Sequence, residues 1–271
     1  MCGIVAVTGY KNALPFLLNG LEKLEYRGYD SAGIAIINSE TKNITCNKTE
    51  GKLKNLIDDL NNKNIPGTVG IGHTRWATHG KPEVKNAHPH TDSSGTIAVV
   101  QNGIIENFQD LKNKLEKEGI IFNSDTDTEV IPHLIQRELN TLSKLKLENN
   151  GSTLLVAVRN VISDLEGSYA LAVLWSSAPT SLVVARRQAP LIIGLGEGEF
   201  ICASDTPAIA NFTNIILPME DEEIALLTPL GIEIYDSNNE RQYRNPVSLK
   251  ISEQIIDKSN YKHYMLKEIY D

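Results

Sequence analysis

A cysteine occupies position 2 of the chain, directly before the apolar stretch "GIVAVTG". Chain termini usually tolerate disorder and change, so a reactive thiol at this place requires an explanation. If Met1 is removed, Cys2 carries a thiol and a free α-amine whose ordinary pKa of about 7.7–8.0 suits proton transfer near neutral pH. The sequence therefore allows two interpretations of Cys2, a nucleophile with its own base or a small apolar residue in the core.

Four histidines lie within residues 67–90, namely His73, His79, His88 and His90. A histidine cluster suggests zinc, but these spacings, without a nearby cysteine or carboxylate to complete a ligand set, match no familiar zinc motif. We therefore expect no metal. The glycines and prolines of this segment indicate a loop that presents Arg75 to a carboxylate, for which a bidentate guanidinium is suited.

The stretch "VVQNGIIEN" places Asn102 and Gly103 at the end of an apolar run. Asn-Gly is the strongest two-residue signal for a hairpin turn. The same pair could also form an oxyanion hole, because an amide side chain and an unhindered glycine N–H can both donate to a developing negative charge. The motif alone leaves both interpretations open.

The stretch "NSDTDTEV" resembles the start of a calcium loop, with Asp125, Asp127 and Glu129 at alternating positions. Val130 stands where such a loop needs glycine, and Gln136 stands where it needs glutamate. The acids are better explained as the start of a helix, capped by aspartate or threonine near the positive end of the helix dipole. One of these acids could still face a site and pair with an ammonium group.

Apolar, β-branched stretches bounded by turn residues predict strands, and stretches with helical periodicity lie between them. The predicted strands are 3–9, 31–38, 96–103, 168–175, 181–187, 191–196, 200–204 and 223–229, and the predicted helices are 12–26, 107–119, 127–140 and 153–167. Grouped strands with paired helices favour a layered α+β domain in which helices cover stacked sheets. Cys46 and Cys202 lie in strand-like surroundings, so we expect both in the core.

Composition narrows the class of protein. The 271 residues are 41% hydrophobic and 22% charged, with a net charge of -8 and no basic block, which argues against nucleic-acid binding. No apolar stretch approaches the roughly 20 residues of a membrane span, and no basic region opens a secretion signal. Three cysteines cannot build a disulfide framework in a chain of this length, so we expect a cytoplasmic protein.

Seven stretches together resemble one family: "MCGIV", "LEYRGYDSAG", "HTRWATHG", "NAHPH", "QNGIIEN", "SDTDTEVI" and "YKHYMLKEI". They are similar to the glutaminase domain of the glutamine–fructose-6-phosphate aminotransferases, a group of class II glutamine amidotransferases. The resemblance runs from residue 2 to the end of the chain. It implies the N-terminal-nucleophile (Ntn) hydrolase fold, a four-layer αββα sandwich of two antiparallel sheets.

The resemblance also implies roles for the residues that perform the reaction. Cys2 would be the nucleophile and its own amine the base, while Arg27 would hold the N-terminal region in place. Asn102 and Gly103 would form the oxyanion hole.

The substrate-binding residues follow from the same resemblance. Arg75 would bind the α-carboxylate of L-glutamine and Asp127 its ammonium group. Thr78 and His79 would line the pocket, and Trp76 would belong to the loop that closes over it. The implied reaction releases glutamate and ammonia and needs no cofactor.

The resemblance further implies a division of the chain and a larger protein. Residues 2–236 would form the glutaminase domain, and residues 237–271 would lead to a linker and an absent sugar isomerase domain. In the complete enzyme the ammonia would convert fructose 6-phosphate to glucosamine 6-phosphate, and a homodimer is possible. Two alternatives remain: the glutaminase half of another amidotransferase, such as amidophosphoribosyltransferase, and a ligand-binding domain without catalysis.

Overall fold

Two antiparallel sheets form the centre of the molecule. The computed structural model describes residues 2–61, 63–77 and 80–249. In the first sheet the strands are β1 (Gly3–Gly9), β2 (Ser31–Ile37), β3 (Ile44–Glu50), β4 (Val69–Arg75), β9 (Ile192–Leu195), β10 (Glu199–Ala203), β11 (Ile215–Pro218) and β15 (Val247–Ser248). In the second they are β5 (His90–Thr91), β6 (Ile97–Ile105), β7 (Gly167–Trp175), β8 (Leu182–Arg187), β12 (Ile224–Thr228), β13 (Gly231–Tyr235) and β14 (Arg241–Gln242). The strand order is β15-β11-β9-β10-β1-β4-β2-β3 in the first sheet and β14-β13-β12-β8-β7-β6-β5 in the second.

Helices cover the outer face of each sheet. They are α1 (Ala13–Leu24), α2 (Leu53–Leu60), α3 (Phe108–Lys117), α4 (Val130–Lys144), α5 (Gly151–Ser163) and α6 (Pro207–Ala210). Helix α1 begins after Asn12 and α5 after Asn150, and each asparagine side chain accepts a backbone N–H of the first turn, the usual way to satisfy a helix N-terminus. These caps fix where each helix begins.

Three apolar layers hold the sandwich together. One lies between α1, α2, α6 and the first sheet, one between the sheets, and one between the second sheet and α3, α4 and α5. Along β1, Val5 and Val7 face the helices while Ile4 and Ala6 face the other sheet. Both faces of the central strands, such as β1, are therefore buried, which explains their continuous apolar runs and agrees with the predicted four-layer αββα fold.

Helix α4 begins at Val130, later than the residue 127 predicted from the sequence. The acids before it do not cap the helix. The Glu129 carboxylate instead accepts the backbone N–H groups of Asn123 and Ser124, at 2.8 and 2.6 Å, and so closes the preceding loop. The predicted aspartate or threonine cap is therefore wrong, because the carboxylate at the junction bonds backward to the loop.

The interpretation of residues 67–90 as a loop is wrong for its first part. Residues 69–75 form β4, which lies between β1 and β2. Glycine, histidine and arginine give this stretch a weak strand signal, but hydrogen-bonded neighbours on both sides override local propensity. Cys202 is buried as expected, whereas Cys46 is exposed on β3, which corrects the expectation that both cysteines lie in the core.

The described part of the chain after Asp236 extends both sheets. Strand β14 pairs with β13, and β15 pairs with β11. The stretch "YKHYMLKEI" lies outside the described residues. The division of the chain at residue 236 stays a prediction. Within the described ranges, no helix has both the length and the apolarity needed to cross a bilayer.

Candidate active site

The thiol of Cys2 lies where β1 begins and its neighbour β4 ends. These strands are antiparallel, with Gly3 opposite Thr74, so Cys2 faces the residues that follow β4. The backbone N–H of Trp76 donates to the Cys2 sulfur at 3.3 Å. The fold therefore brings position 2 next to Arg75 and Trp76, two residues predicted to bind substrate.

Burial sets the acidity of this thiol. It raises the pKa of Cys2, and the Trp76 N–H and the charges of Arg75 and Arg27 offset part of that effect. Because the pKa remains above its ordinary value, the thiol is protonated at neutral pH. A nucleophilic role therefore requires a base that takes this proton during attack.

Arg27 holds the backbone of Cys2. Its Nε–H donates to the Cys2 carbonyl at 3.1 Å, and its Nη1 pairs with Asp205 at 2.9 Å. The Tyr26 hydroxyl donates to the same Asp205 carboxylate. A buried arginine with a carboxylate partner is a fixed anchor, so these contacts support the role that the resemblance implied for Arg27.

The three residues after Arg27 also support the site, although sequence reasoning assigned them no role. A side chain at Gly28 would lie 2.7 Å from the backbone of Arg75 and Trp76, so this close approach requires glycine. The Tyr29 ring contacts the Trp76 ring edge-on, with centroids 5.5 Å apart, and the Asp30 carboxylate accepts the Ala77 N–H at 2.9 Å. The signal was the motif "EYRGYDS" itself, in which Gly28, Tyr29 and Asp30 contact the turn after β4.

A pocket opens beside the thiol. It is a small, mostly polar cleft, part of which is open to solvent. Its lining residues are Cys2, Arg75, Trp76, His88, Gln101, Gly103, Thr126, Asp127 and Thr128. The pocket therefore combines a thiol, a cation and an anion, which are the groups predicted to act on glutamine.

The two charged groups of this pocket are buried, Arg75 at 4% exposure and Asp127 at 6%. Arg75 donates to the carbonyls of Gly80 and Lys81 at 3.5 and 3.4 Å. The Asp127 carboxylate accepts the Ile105 N–H at 2.7 Å, which ties its loop to the end of β6. Burial lowers the pKa of Arg75, opposed by Cys2, Asp127 and Asp30, and the guanidinium remains charged.

Asn102 and Gly103 lie inside β6, so the hairpin interpretation is wrong. Both residues pair with β7, opposite Ala170 and Tyr169. The Asn102 side-chain amide donates to the Cys2 carbonyl at 3.1 Å. Gly103 has a φ of +107°, and a Cβ there would lie 2.1 Å from the Ser168 carbonyl oxygen, so no other residue fits without distortion.

Three of the four histidines of residues 67–90, namely His73, His88 and His90, form a buried cluster. His73 lies against His88 with ring centroids 4.2 Å apart, and His90 lies 4.8 Å from His88. Burial lowers the pKa of His73 and His90 to about 3 and that of His88 well below its ordinary range, so all three rings are neutral. No group of three or more potential metal ligands occurs among the residues that the structure describes. Thr78 and His79 lie outside those residues.

Comparison with known proteins agrees with this geometry. Residues 73–211 match the family model described as "Glutamine amidotransferase domain". The chain belongs to this family of glutamine amidotransferase domains.

Relatives that match over the whole chain carry a more specific name than the family model does. The chain is 53% identical over its whole length to the glutamine–fructose-6-phosphate aminotransferase (isomerizing) of Thermosynechococcus vestitus, and 52% identical to that of Nostoc sp.. It covers 42% of each relative, so it spans less than half of their length.

Solved structures share the fold. The glutamine phosphoribosylpyrophosphate amidotransferase of B. subtilis, complexed with ADP and GMP, superposes with a TM-score of 0.71 at 29% identity, over 90% of this chain and 50% of that one. A glutamine aminotransferase class-II domain protein of Silicibacter pomeroyi matches with a TM-score of 0.52 at 13% identity, over 87% of this chain and 99% of that one. The first likeness confirms the predicted Ntn amidotransferase fold.

Proposed function

We propose that the chain hydrolyses the side-chain amide of L-glutamine to glutamate and ammonia through a thioester on Cys2. One observation carries this proposal: the thiol, the Arg75 guanidinium and the Asp127 carboxylate line one pocket. A free amino acid has one carboxylate and one ammonium group. Two buried side chains of opposite charge therefore fit the α-carbon of glutamine and leave its amide to approach the sulfur.

The reaction proceeds in two steps. The α-amine of Cys2, free once Met1 is removed, takes the thiol proton while the sulfur attacks the amide carbon. The Asn102 amide and the Gly103 N–H stabilise the oxyanion of the tetrahedral intermediate, because an NH₂ group that donates one hydrogen to the Cys2 carbonyl has a second to offer. The intermediate collapses to the thioester. The protonated amine gives its proton to the amide nitrogen, which leaves as ammonia.

Hydrolysis of the thioester completes the cycle. The amine accepts a proton from water as the resulting hydroxide adds to the thioester carbon. The C–S bond then breaks, glutamate leaves, and the protonated amine returns its proton to the sulfur. His88 also lines the pocket but is a poor base, because its Nδ1 accepts the Gln101 N–H at 3.2 Å and its pKa is lowered by burial. Thr78, His79 and Trp76 would line or close the pocket around the bound substrate.

In the longer protein, we propose that the ammonia reaches a C-terminal isomerase domain that converts fructose 6-phosphate to glucosamine 6-phosphate. The support is the 53% identity to a relative that carries this name and extends well beyond the matched part. The likeness to the phosphoribosylpyrophosphate amidotransferase gives a second candidate acceptor, at the lower identity of 29%. A cytoplasmic location accords with three free cysteines, and a homodimer remains a prediction that sedimentation can test.

A cysteine series tests the hydrolysis. Cys2→Ala should abolish glutamate release and retain glutamine binding, whereas Cys46→Ala should keep the parent rate because that thiol is exposed on β3. Cys202→Ala should also stay active, since its side chain is buried away from the pocket. Glutamate release by Cys2→Ala would disprove the mechanism, and a parent chain that binds glutamine without turnover would indicate a binding domain.

A further inference from the structure

His73 lies beneath the proposed oxyanion hole, on the central strand β4, and its side chain reaches across to the other sheet. It is fully buried, and the reaction described above gives it no role. We infer that His73 is a positioning residue that fixes the orientation of the Asn102 amide toward Cys2. The inference rests on the proposed glutamine hydrolysis, in which Asn102 donates to the oxyanion.

The hydrogen bonds of His73 define its protonation. Its Nε2 lies 3.0 Å from the Asn102 side-chain oxygen and 3.1 Å from the Gln101 carbonyl oxygen. Both partners are acceptors, so Nε2 must carry the hydrogen. The Nδ1 atom therefore has a bare lone pair, and it is buried without a hydrogen-bond partner among the described residues.

The same contacts define the orientation of Asn102. At the other end of the amide, Nδ2 donates to the Cys2 carbonyl at 3.1 Å. A donor on one side and an acceptor on the other admit a single orientation, because a flip by 180° would place N–H against N–H and oxygen against oxygen. His73 therefore keeps the NH₂ group on the side of the nucleophile.

The surroundings keep the His73 ring neutral and immobile. Burial lowers its pKa to about 3, and the ring stacks on His88 at 4.2 Å. His88 is itself fixed, since its Nδ1 accepts the Gln101 N–H and its Nε2 lies 3.4 Å from the Thr128 hydroxyl. A rigid neutral donor can orient the amide before the substrate arrives, which is the preorganisation that an oxyanion hole needs.

Two substitutions separate orientation from packing. His73→Leu removes the donor, leaves the Asn102 oxygen unpaired and allows the amide to flip, so we expect kcat for glutamine hydrolysis to fall about 10- to 100-fold. KM should change little, because the α-carbon of the substrate binds elsewhere. In His73→Gln the side-chain NH₂ reaches the position of Nε2–H and should restore most of kcat. The matched control is His133→Leu. It removes a different buried histidine, which lies on α4, and should keep the parent kcat.

The experiment measures kcat and KM for glutamine in the full chain, with thermal unfolding as a folding check. Parent kcat in folded His73→Leu, or an equal loss in His73→Gln, would overturn the inference. If His73→Leu does not fold, ¹⁵N NMR of the parent chain decides, since a hydrogen on Nδ1 would contradict the assignment and one on Nε2 would support it. An inactive parent chain, or an active Cys2→Ala variant, would instead refute the proposed function.

Discussion

At the residue scale, two buried charges of opposite sign govern what the pocket can bind. Arg75 and Asp127 are each at least nine-tenths buried, and both line the pocket beside the thiol. Each side chain can bind the oppositely charged group of an amino acid, so a ligand that lacks either group makes one charge-assisted contact fewer. The pocket should therefore select a zwitterion before any chemistry occurs at the amide.

Asp127→Asn tests this selection. The asparagine oxygen still accepts the Ile105 N–H that Asp127 binds at 2.7 Å, so the loop should keep its place while the charge is lost. We expect KM for glutamine to rise at least about tenfold with a small change in melting temperature, since one charge-assisted contact is worth about 1.5–3 kcal/mol. Arg75→Ala should act in the same direction through the substrate carboxylate.

Asp125→Asn is the matched control for this substitution. Asp125 lies two residues away and pairs with Lys85 at the surface, at 2.8 Å. Its loss should leave KM unchanged, because an exposed pair contributes little. An Asp127→Asn enzyme with the parent KM would show that the carboxylate serves the loop and not the substrate.

At the scale of the elements, Gly103 shows how one strand conformation serves both sheet and site. We predict that Gly103→Ala lowers the free energy of unfolding by about 2–4 kcal/mol and abolishes glutamate release, because the new Cβ collides with the Ser168 carbonyl. Gly95→Ala, at φ +69° with no atom within 4 Å of the new Cβ, should cost about 1 kcal/mol and stay active. Urea unfolding with an activity assay measures both, and equal small losses would contradict the strand geometry.

Arg244 provides a second test at this scale. It forms a bidentate pair with the buried Glu223, with an Nη1–Oε2 distance of 2.7 Å, and donates to the Pro218 carbonyl at 3.0 Å. Arg244→Ala would leave Glu223 buried without its partner, so we expect a loss of about 3 kcal/mol in the free energy of unfolding. Lys63→Ala breaks a pair that is half-exposed on both sides and should cost less than about 1 kcal/mol.

Chemical denaturation of these two variants distinguishes a packed segment from a linker. A loss at Arg244 no larger than that at Lys63 would mean that the residues after Asp236 contribute nothing to the domain. The expected large loss would place the working boundary of the domain after residue 244.

The elements show where sequence reasoning succeeded and where it failed. The strand 3–9 and the helix 12–26 carried clear apolar patterns. The strand occurs with the predicted bounds, and the helix is shorter at both ends. Strand β4 could not be recognised, because its two glycines and its histidine give no local signal and its neighbours β1 and β2 are distant along the chain. The hairpin interpretation of Asn102-Gly103 failed for the same reason, since pairing with β7 outweighs the local turn preference.

At the scale of the whole molecule, the two sheets bring together residues that no short sequence window contains. Cys2 and Arg75 come from the first sheet, Asn102 and Gly103 from the second, and Asp127 from the loop before α4. The family resemblance linked these residues in advance. The hydrogen bonds from Asn102 to Cys2 and from His73 to Asn102 depend on how the sheets face each other, which periodicity does not encode.

The buried histidines also make the stability of the whole molecule depend on pH. His73 and His90 have pKa values of about 3 in the folded chain, and that of His88 is also lowered, against about 6.5 when unfolded. At pH values between the folded and the unfolded pKa, the unfolded chain binds protons that the folded chain does not. The free energy of unfolding should therefore fall as pH drops below about 6.5, by up to about 1.4 kcal/mol per pH unit for each histidine.

Urea unfolding between pH 7.5 and pH 5 measures this slope. His90→Gln should reduce the uptake of protons on unfolding by about one, because glutamine does not titrate. A free energy of unfolding that is constant over this range would contradict neutral burial of the three rings.

We propose that the α-amine of Cys2 acts as the base for its own thiol. The buried thiol needs a base because burial raises its pKa, and the neutral His88, which also lines the pocket, is engaged with Gln101 through its Nδ1. A residue that remains attached before Cys2 converts the amine to an amide, which takes up no proton at neutral pH. Glutamine hydrolysis should therefore stop, although the thiol and the pocket are unchanged.

The most direct measurement is glutamate release by two forms of the chain, one that begins at Cys2 and one that keeps an uncleaved residue before it, with intact mass confirming each terminus. We predict that the first form hydrolyses glutamine and that the second is inactive although it folds with the same melting temperature. Full activity with Met1 or a tag retained would show that the base lies elsewhere in the chain, and His79 would be the next residue to test.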